Sequence, residues 1–402
     1  MTAAIKNAIS DQKELLIEST SNQVDQFGGY TGMTPDKFVN YVRDLAAATG
    51  FSLDHLILGG DHLGPNAWQK EPANSAMEKA CELIHQYVKA GYTKIHLDTS
   101  MRCEGDPGHP GEPLDVTIVA DRAAKLCKIA ENAGSEPQRL EYIIGTDVPI
   151  PGGAKEQLSD IRITPVNEVE ETIEITRKAF YKLGLKDAWE RVVAVVVQPG
   201  VEFGDTAVIE YDREKALTLS RTIEKYDNLF YEAHSTDYQT KNALRQMVED
   251  HFRILKVGPW LTFALRETLF ALDSIEHELY SDKKDVNLSG LVDMIEQQML
   301  ENTRYWSAHY HGDQTQLKLA RKYSYSDRIR YYWPDTRIQK SLNQLIENLS
   351  RQKIPLNILS QYLPLQYEAI REQKLQNRVL DLIDFGITQV LNIYSYATGD
   401  TN

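Results

Sequence analysis

The chain has 402 residues, 42% of them hydrophobic, enough for one large core with or without a smaller satellite domain. Its formal net charge is -14, with no long basic run, which excludes nucleic acid and anionic membrane surfaces as expected partners. Cys81, Cys103 and Cys127 show no CxxC spacing, Met1 to Ser10 lacks a signal-peptide core, and no run approaches the roughly twenty apolar residues of a membrane helix, so a cytoplasmic protein without disulfides or a thiolate zinc cluster is expected.

Ala3–Ser10 reads as a helix. Seven short β-rich apolar runs follow: Glu14–Glu18, His55–Gly60, Thr93–Asp98, Leu140–Thr146, Arg191–Gln198, Leu229–His234 and Arg253–Gly258. Amphipathic segments such as Ala76–Ala90 and Val116–Ala133 lie between them. Strand–helix alternation predicts parallel strands joined by crossover helices. The continuous apolar run VVAVVV predicts a sheet covered on both faces. Polar or acidic residues close these runs, namely Glu18, Asp61, Asp98, Asp147, Gln198 and His234. In a parallel barrel such strand ends share one rim, where active sites are built. A doubly wound open sheet would collect polar strand ends too, so the pattern favours a barrel only modestly. The expected fold is α/β, a (β/α)8 TIM barrel over residues 1–281, its first strand absent or replaced by another segment. From about Asp282 the pattern turns helical with aromatic loops, so residues 282–402 are expected to form a helical extension packed on the barrel or on a partner subunit.

Candidate chemistry also follows chain order. Asp61-His62 closes the second run in GGDHLGPN, where glycines and Pro65 mark a close backbone approach. At a rim, such a pair can divide its labour: imidazole holds a metal and carboxylate takes a proton. A helix cap and a cation pair are the plain alternatives. Asn66 is an amide suited to a hydroxyl. Asp98, followed by Thr99 and Ser100, could orient substrate, brace His62 or bind metal, and equally could cap a helix. Asp147, in GTDVPIPGG, has the same two readings. Gln198 is a second candidate amide. Glu202, in QPGVEFGD, would by itself be a solvated loop carboxylate. His234 precedes Ser235, Thr236 and Asp237, a polar cluster suited to sugar hydroxyls. His62, Glu202 and His234 together make a reasonable divalent-metal set, with zinc the first choice and manganese or nickel as alternatives. Lys256 and Gly258 end the last run; Lys256 suits a phosphate or an acid inside the barrel. Arg328 and Arg330, in RIRYYW, are apt for phosphate, although arginines paired with acids on a packing helix are the commoner case.

The segments from ESTSNQVDQFGGYTGMTP at Glu18 through GGDHLGPNAW, KIHLDTSM, GTDVPIPGG, VVVQPGVEFGD, YEAHSTDYQT, ILKVGPWLTFALRE and SDRIRYYWP to SQYLP resemble the Z-subunit family of tagatose-1,6-bisphosphate aldolase, the GatZ/KbaZ type. That family is similar in turn to class II metal-dependent aldolases. The resemblance implies Asp61 as catalytic acid/base, His62 and His234 as metal ligands, and Asp98 at a matching strand end. It places Glu202 where those aldolases have another metal-binding histidine, and Asp147 near their glutamate, one carbon shorter. It implies an eight-stranded barrel of which this chain carries the second to eighth strands. Some members carry the label tagatose-6-phosphate kinase, but no Gly-rich phosphate loop supports kinase chemistry here. The implied function is a partner that stabilises and activates a catalytic Y-type aldolase subunit. The alternative is a metal-dependent ketohexose 4-epimerase acting on tagatose and fructose or their phosphates. A ketohexose or its phosphate is then the small-molecule partner, and self-association into a homo-oligomer is a further expectation.

Overall fold

The computed structural model describes residues 1–109, 112–134, 139–145 and 161–399. Seven parallel strands form one curled sheet in simple sequential order: β1 (Leu15–Thr20), β2 (Leu56–Leu63), β3 (Lys94–Leu97), β4 (Glu141–Gly145), β5 (Val192–Val197), then β8 (Phe230–Ala233) and β9 (Phe252–Leu255). Between β5 and β8 a short antiparallel hairpin intervenes, β6 (Glu202–Phe203) with β7 (Val208–Ile209). Each of the seven runs singled out in the sequence is a strand of this sheet. The architecture is α/β and TIM-barrel-like, with a helical C-terminal region.

Around the strands lie α1 (Thr2–Asp11), α2 (Pro35–Thr49), α3 (Ala73–Ala90), α4 (Val116–Ala133), α5 (Val166–Lys182), α6 (Lys186–Trp189), α7 (Arg213–Thr222) and α8 (Lys241–Glu249). The C-terminal region contains α9 (Pro259–Tyr280), α10 (Leu291–Glu301), α11 (Gln314–Tyr323), α12 (Thr336–Ser350), α13 (Leu356–Tyr362), α14 (Pro364–Arg371) and α15 (Val379–Thr398). No helix among the described residues is long and apolar enough to cross a membrane.

Helix α3 illustrates the outer ring. Ala76, Ala80, Leu83, Ile84 and Tyr87 recur at helical spacing and are buried against the sheet. Full burial of Leu83 and Ile84 is worth roughly 1.5–3 kcal/mol each. The helix stops at Gly91, whose φ of 103° is a left-handed cap that a side chain would strain.

Two apolar clusters result. One surrounds the sheet and its helices. The other joins α9 to the helices that follow, through Leu272, Ile275, Leu291, Ile295, Ile338, Leu345 and Leu382. Helix α15 packs against α1, α8 and α9. It therefore bridges helices that pack on the first and last strands of the sheet, and ties the C-terminal region to it.

Candidate acid–base and metal centre in the barrel mouth

Strand alternation aims charge into the barrel. On β3, Ile95 and Leu97 pack in the apolar shell while Lys94 and His96, with Asp98 just beyond, take the opposite phase; all three polar residues are buried. On β8, Glu232 is fully buried and His234 follows two residues later. Glu18 comes from β1 and Lys256 from the end of β9.

Backbone irregularity sets the aim. The pairing of β2 with β3 shifts register between Gly60 and Leu63, and His62 lies in that irregularity with φ 50°. Ser235, just past β8, has φ 53°. Left-handed backbone at non-glycine residues costs of order 1–3 kcal/mol and is retained where surroundings over-determine it. Here the glycines supply the room. A Cβ on Gly64 would lie 1.6 Å from the Asp98 carbonyl oxygen, and one on Gly59 would lie 2.5 Å from Glu18 Oε1.

Three imidazoles converge, with ring centroids 4.9 Å apart for His62 and His234, 5.3 Å for His62 and His96, and 5.6 Å for His96 and His234. Asp61 stands among them. Its Oδ1 lies 2.8 Å from His96 Nδ1 and 3.1 Å from Lys256 Nζ, and its Oδ2 lies 3.5 Å from His62 Nε2. His62 Nδ1 is 2.8 Å from Asp98 Oδ2, and Asp98 Oδ1 accepts from the Ser100 hydroxyl at 2.7 Å. His234 Nε2 is 3.0 Å from Glu232 Oε1. Lys94 Nζ bridges Glu18 Oε1 and Glu232 Oε2 at 2.5 Å each, and Lys256 also contacts Glu18.

The charge states follow from these contacts. Burial works against ionising Asp61, but His62 and His96 outweigh it and hold its carboxyl well below the usual range. Burial likewise opposes a charged His62, yet Asp61 and Asp98 raise it to about 9. Burial is also overcome at Asp98, brought to about 2 mainly by His62, and at Glu232, brought to about 2 by Lys94 and His234. His234 is shifted down by burial and so favours its neutral form. Burial alone pushes Lys256 well below the ordinary lysine range.

Asp61, His96, Glu232 and His234 each present one ligand atom, all within 4.8 Å of one another and all buried. His96 Nε2 is a buried nitrogen without a hydrogen-bond partner among the described residues. Neutral imidazoles and ionised carboxylates are the donor set of a divalent transition metal. The residues present therefore fit such an ion.

The other expected positions lie partly at the same cavity and partly in the turns around it. Ser235, Asp237, Lys256 and Gly258 line the same cavity of about 720 Å³, together with Asp61, His62 and His234. Asp237 Oδ1 accepts from the backbone of Gly258 and Trp260 at 2.9 Å each, which pins the start of α9; burial raises it to about 6. Glu202 sits on the β6 hairpin, accepts from the Phe203 amide at 3.0 Å, and is raised by burial to about 7. Gln198 Oε1 accepts from the amides of Gly200 and Val201, bracing the turn after β5. Asn66 Oδ1 accepts from Gln69 at 2.6 Å. Ser100 is occupied with Asp98. Asp147 lies outside the described residues. His96 and Glu232 were not singled out from sequence, although the polar–apolar alternation Lys94-Ile95-His96-Leu97-Asp98 carries the signal.

The model of the family "D-tagatose-1,6-bisphosphate aldolase subunit GatZ/KbaZ-like" matches residues 1–399. The chain is 42% identical to a solved probable tagatose 6 phosphate kinase from Sinorhizobium meliloti 1021, over 98% of this chain and 96% of that one, with a TM-score of 0.90. It also superposes on the fructuronate-tagaturonate epimerase UxaE from Cohnella laeviribosi with a TM-score of 0.51 at 11% identity, over 99% of this chain and 79% of that one, a likeness of fold alone.

Proposed function

Because the chain belongs to the D-tagatose-1,6-bisphosphate aldolase subunit GatZ/KbaZ-like family, we propose that it is the subunit that stabilises and activates a catalytic Y-type aldolase partner. The observation carrying this reading is the family match across residues 1–399. The test is aldol cleavage of tagatose-1,6-bisphosphate by a Y-type subunit with and without this chain. Raised activity and a slower thermal inactivation of the partner are expected; an unchanged partner would overturn the reading.

A second reading is favoured by one observation, the buried group Asp61, His96, Glu232 and His234. A protein serving only as a scaffold gains nothing from four buried ionisable groups that must be desolvated. In this reading the chain is itself a ketohexose or ketohexose-phosphate 4-epimerase. His234, His96 and Glu232 would hold a divalent cation, zinc in the first instance, and His62 turns its Nε2 toward the same space while Asp98 fixes its Nδ1. When bound, the ion supplies Lewis-acid polarisation of a carbonyl. Asp61, ionised at neutral pH, takes the proton from the C4 hydroxyl as the C3–C4 bond breaks, giving an enediolate and an aldehyde. Re-addition of the enediolate to the other aldehyde face, with return of the proton from Asp61, reforms the bond and inverts C4. Lys256 Nζ lies 3.1 Å from Asp61 Oδ1.

The discriminating experiment uses the purified chain alone with D-tagatose, D-fructose and their 6-phosphates, read by NMR. Interconversion that disappears in Asp61→Asn supports the second reading. A metal-loaded chain that inverts none of the four sugars sinks it. Metal content should fall at least about 100-fold in affinity for His234→Ala, a residue common to every ligand set considered.

A further inference from the structure

Arg304, Arg328 and Arg330 of the C-terminal region line the mouth cavity. Helix α15 reaches the same site by another route, through the backbone of the turn after β8. There His234, Thr236 and Asp237 are all buried. The β8–β9 ladder ends at Ala233, whose carbonyl accepts from the Lys256 amide at 3.0 Å. Beyond it the chain leaves the strand, with left-handed φ values of 53° at Ser235 and 64° at Tyr238. Such backbone is unfavourable for residues with a side chain and persists only where its surroundings hold it.

Three side chains hold it. Asp237 accepts from the Gly258 and Trp260 amides. The Thr236 hydroxyl donates to the Lys256 carbonyl at 2.7 Å. Tyr394, on α15 and 158 positions further along the chain, donates its hydroxyl proton to the Thr236 carbonyl at 3.0 Å and stands 3.0 Å from the Thr236 hydroxyl oxygen. Proton counting fixes these directions. A carbonyl only accepts, so the single proton of Thr236 goes to Lys256 and that of Tyr394 serves the Thr236 oxygens. Burial, with the charge of Asp237 nearby, raises Tyr394 well above the ordinary tyrosine range, so this proton is kept. The Tyr394 ring packs against the apolar core and lies 6.1 Å from the Trp260 ring, edge to face, which fixes where the hydroxyl stands.

We propose that Tyr394 is a positioning residue for the metal centre, its hydroxyl setting the turn that aims His234 into the mouth. This rests on the second reading above, in which His234 holds a divalent cation. His62 has a direct brace, because Asp98 Oδ2 fixes its Nδ1. His234 is placed differently. Its Nε2 faces Glu232 Oε1, and both are donors of the same candidate set. That contact yields once both groups face an ion, and the aim of the imidazole then depends on the backbone that carries it. Through Thr236 the same clasp reaches the Lys256 carbonyl. The last helix of the chain thus sets the geometry of a centre whose donors come from the strands and their ends.

Cobalt(II) binding to the full-length chain, followed by calorimetry and by visible absorption of the bound ion, tests this. Tyr394→Phe removes one oxygen and keeps the ring. Its cobalt affinity should fall about 10-fold, and the absorption bands should shift because the ligand geometry changes. Thr236→Val cuts the next link and should show the same two effects, while Thr236→Ser keeps the hydroxyl and should behave as the unaltered chain. Leu382→Ala, fully buried on the same helix, is the control for stability alone. It should lower the urea midpoint and leave affinity and bands unchanged. Unchanged affinity and bands in Tyr394→Phe would overturn the proposal and leave the metal reading standing. Equal effects of Leu382→Ala and Tyr394→Phe on affinity and bands would overturn it as well, since the loss would then report stability only. An unaltered chain that binds no cobalt would overturn the proposal together with the metal reading.

Discussion

The barrel mouth and the C-terminal helical region solve opposite problems. In the mouth, Glu18, Asp61, Lys94, His96, Glu232 and His234 replace the apolar filling of an ordinary barrel with interlocking charges. Asp61 stays ionised there only because of His62 and its neighbouring imidazoles, and Glu232 because of Lys94 and His234. The C-terminal region is held by a conventional apolar cluster, with Leu272, Ile275, Leu291 and Leu345 fully buried. Among its buried polar groups, Asn348 donates to Glu276 at 2.6 Å and Arg266 to Asp327 at 3.2 Å. The contrast teaches that stability and chemistry are separated. The mouth accepts strain and buried charge because the surrounding helices supply the surplus.

The sharpest way to break that contrast is Lys94→Met. It leaves Glu18 and Glu232 buried with less compensation and should cost about 3–5 kcal/mol. Urea unfolding measures it; a change under about 1 kcal/mol would mean that the mouth is not held by charge pairing. Leu345→Ala, in the helical cluster, should cost about 2–5 kcal/mol through lost burial and a residual cavity. Unlike Lys94→Met, that loss should not vary with pH between 5 and 8, and a pH-dependent loss would erase the distinction between the regions.

Glu202 gives a third, pH-resolved comparison. Burial raises its folded pKa from 4.5 to about 7. Below pH 4.5 it is protonated in both states and contributes nothing. As pH rises from 4.5 to 7 the unfolded form releases a proton that the folded form keeps, so stability falls, by on the order of 3 kcal/mol once pH exceeds 7. In the metal-free chain, Glu202→Gln retains an acceptor for the Phe203 amide and should remove this loss at pH 8 while changing little at pH 4.5. Equal stability of the two proteins at both pH values would refute the assignment. The smallest effect concerns α12, whose N-cap Asp335 accepts from the Arg337 and Ile338 amides. Asp335→Ala should cost about 1 kcal/mol by thermal melting and leave metal affinity in the mouth unchanged.

The sequence by itself determined the strands and the rim. Apolar runs of β-branched residues bounded by Gly, Pro and Asp are local signals, and each of the seven became a parallel strand. Asp61, His62, Asp98 and His234 were legible because they sit at run ends, which a parallel barrel gathers on one side. What only the tertiary structure decided is which groups touch. His96 and Glu232 lie inside their runs, and alternation alone does not say which face of a doubly covered strand points into the barrel. Of the two candidates just past β5, Gln198 braces the backbone amides of its own turn, and Glu202, on the β6–β7 hairpin, reaches Ser235 of the mouth. The arginines of the C-terminal turns could not be placed at the cavity from sequence at all. Contact between residues some seventy to two hundred and seventy positions apart depends on how helices pack, and packing is a property of the whole core rather than of any segment.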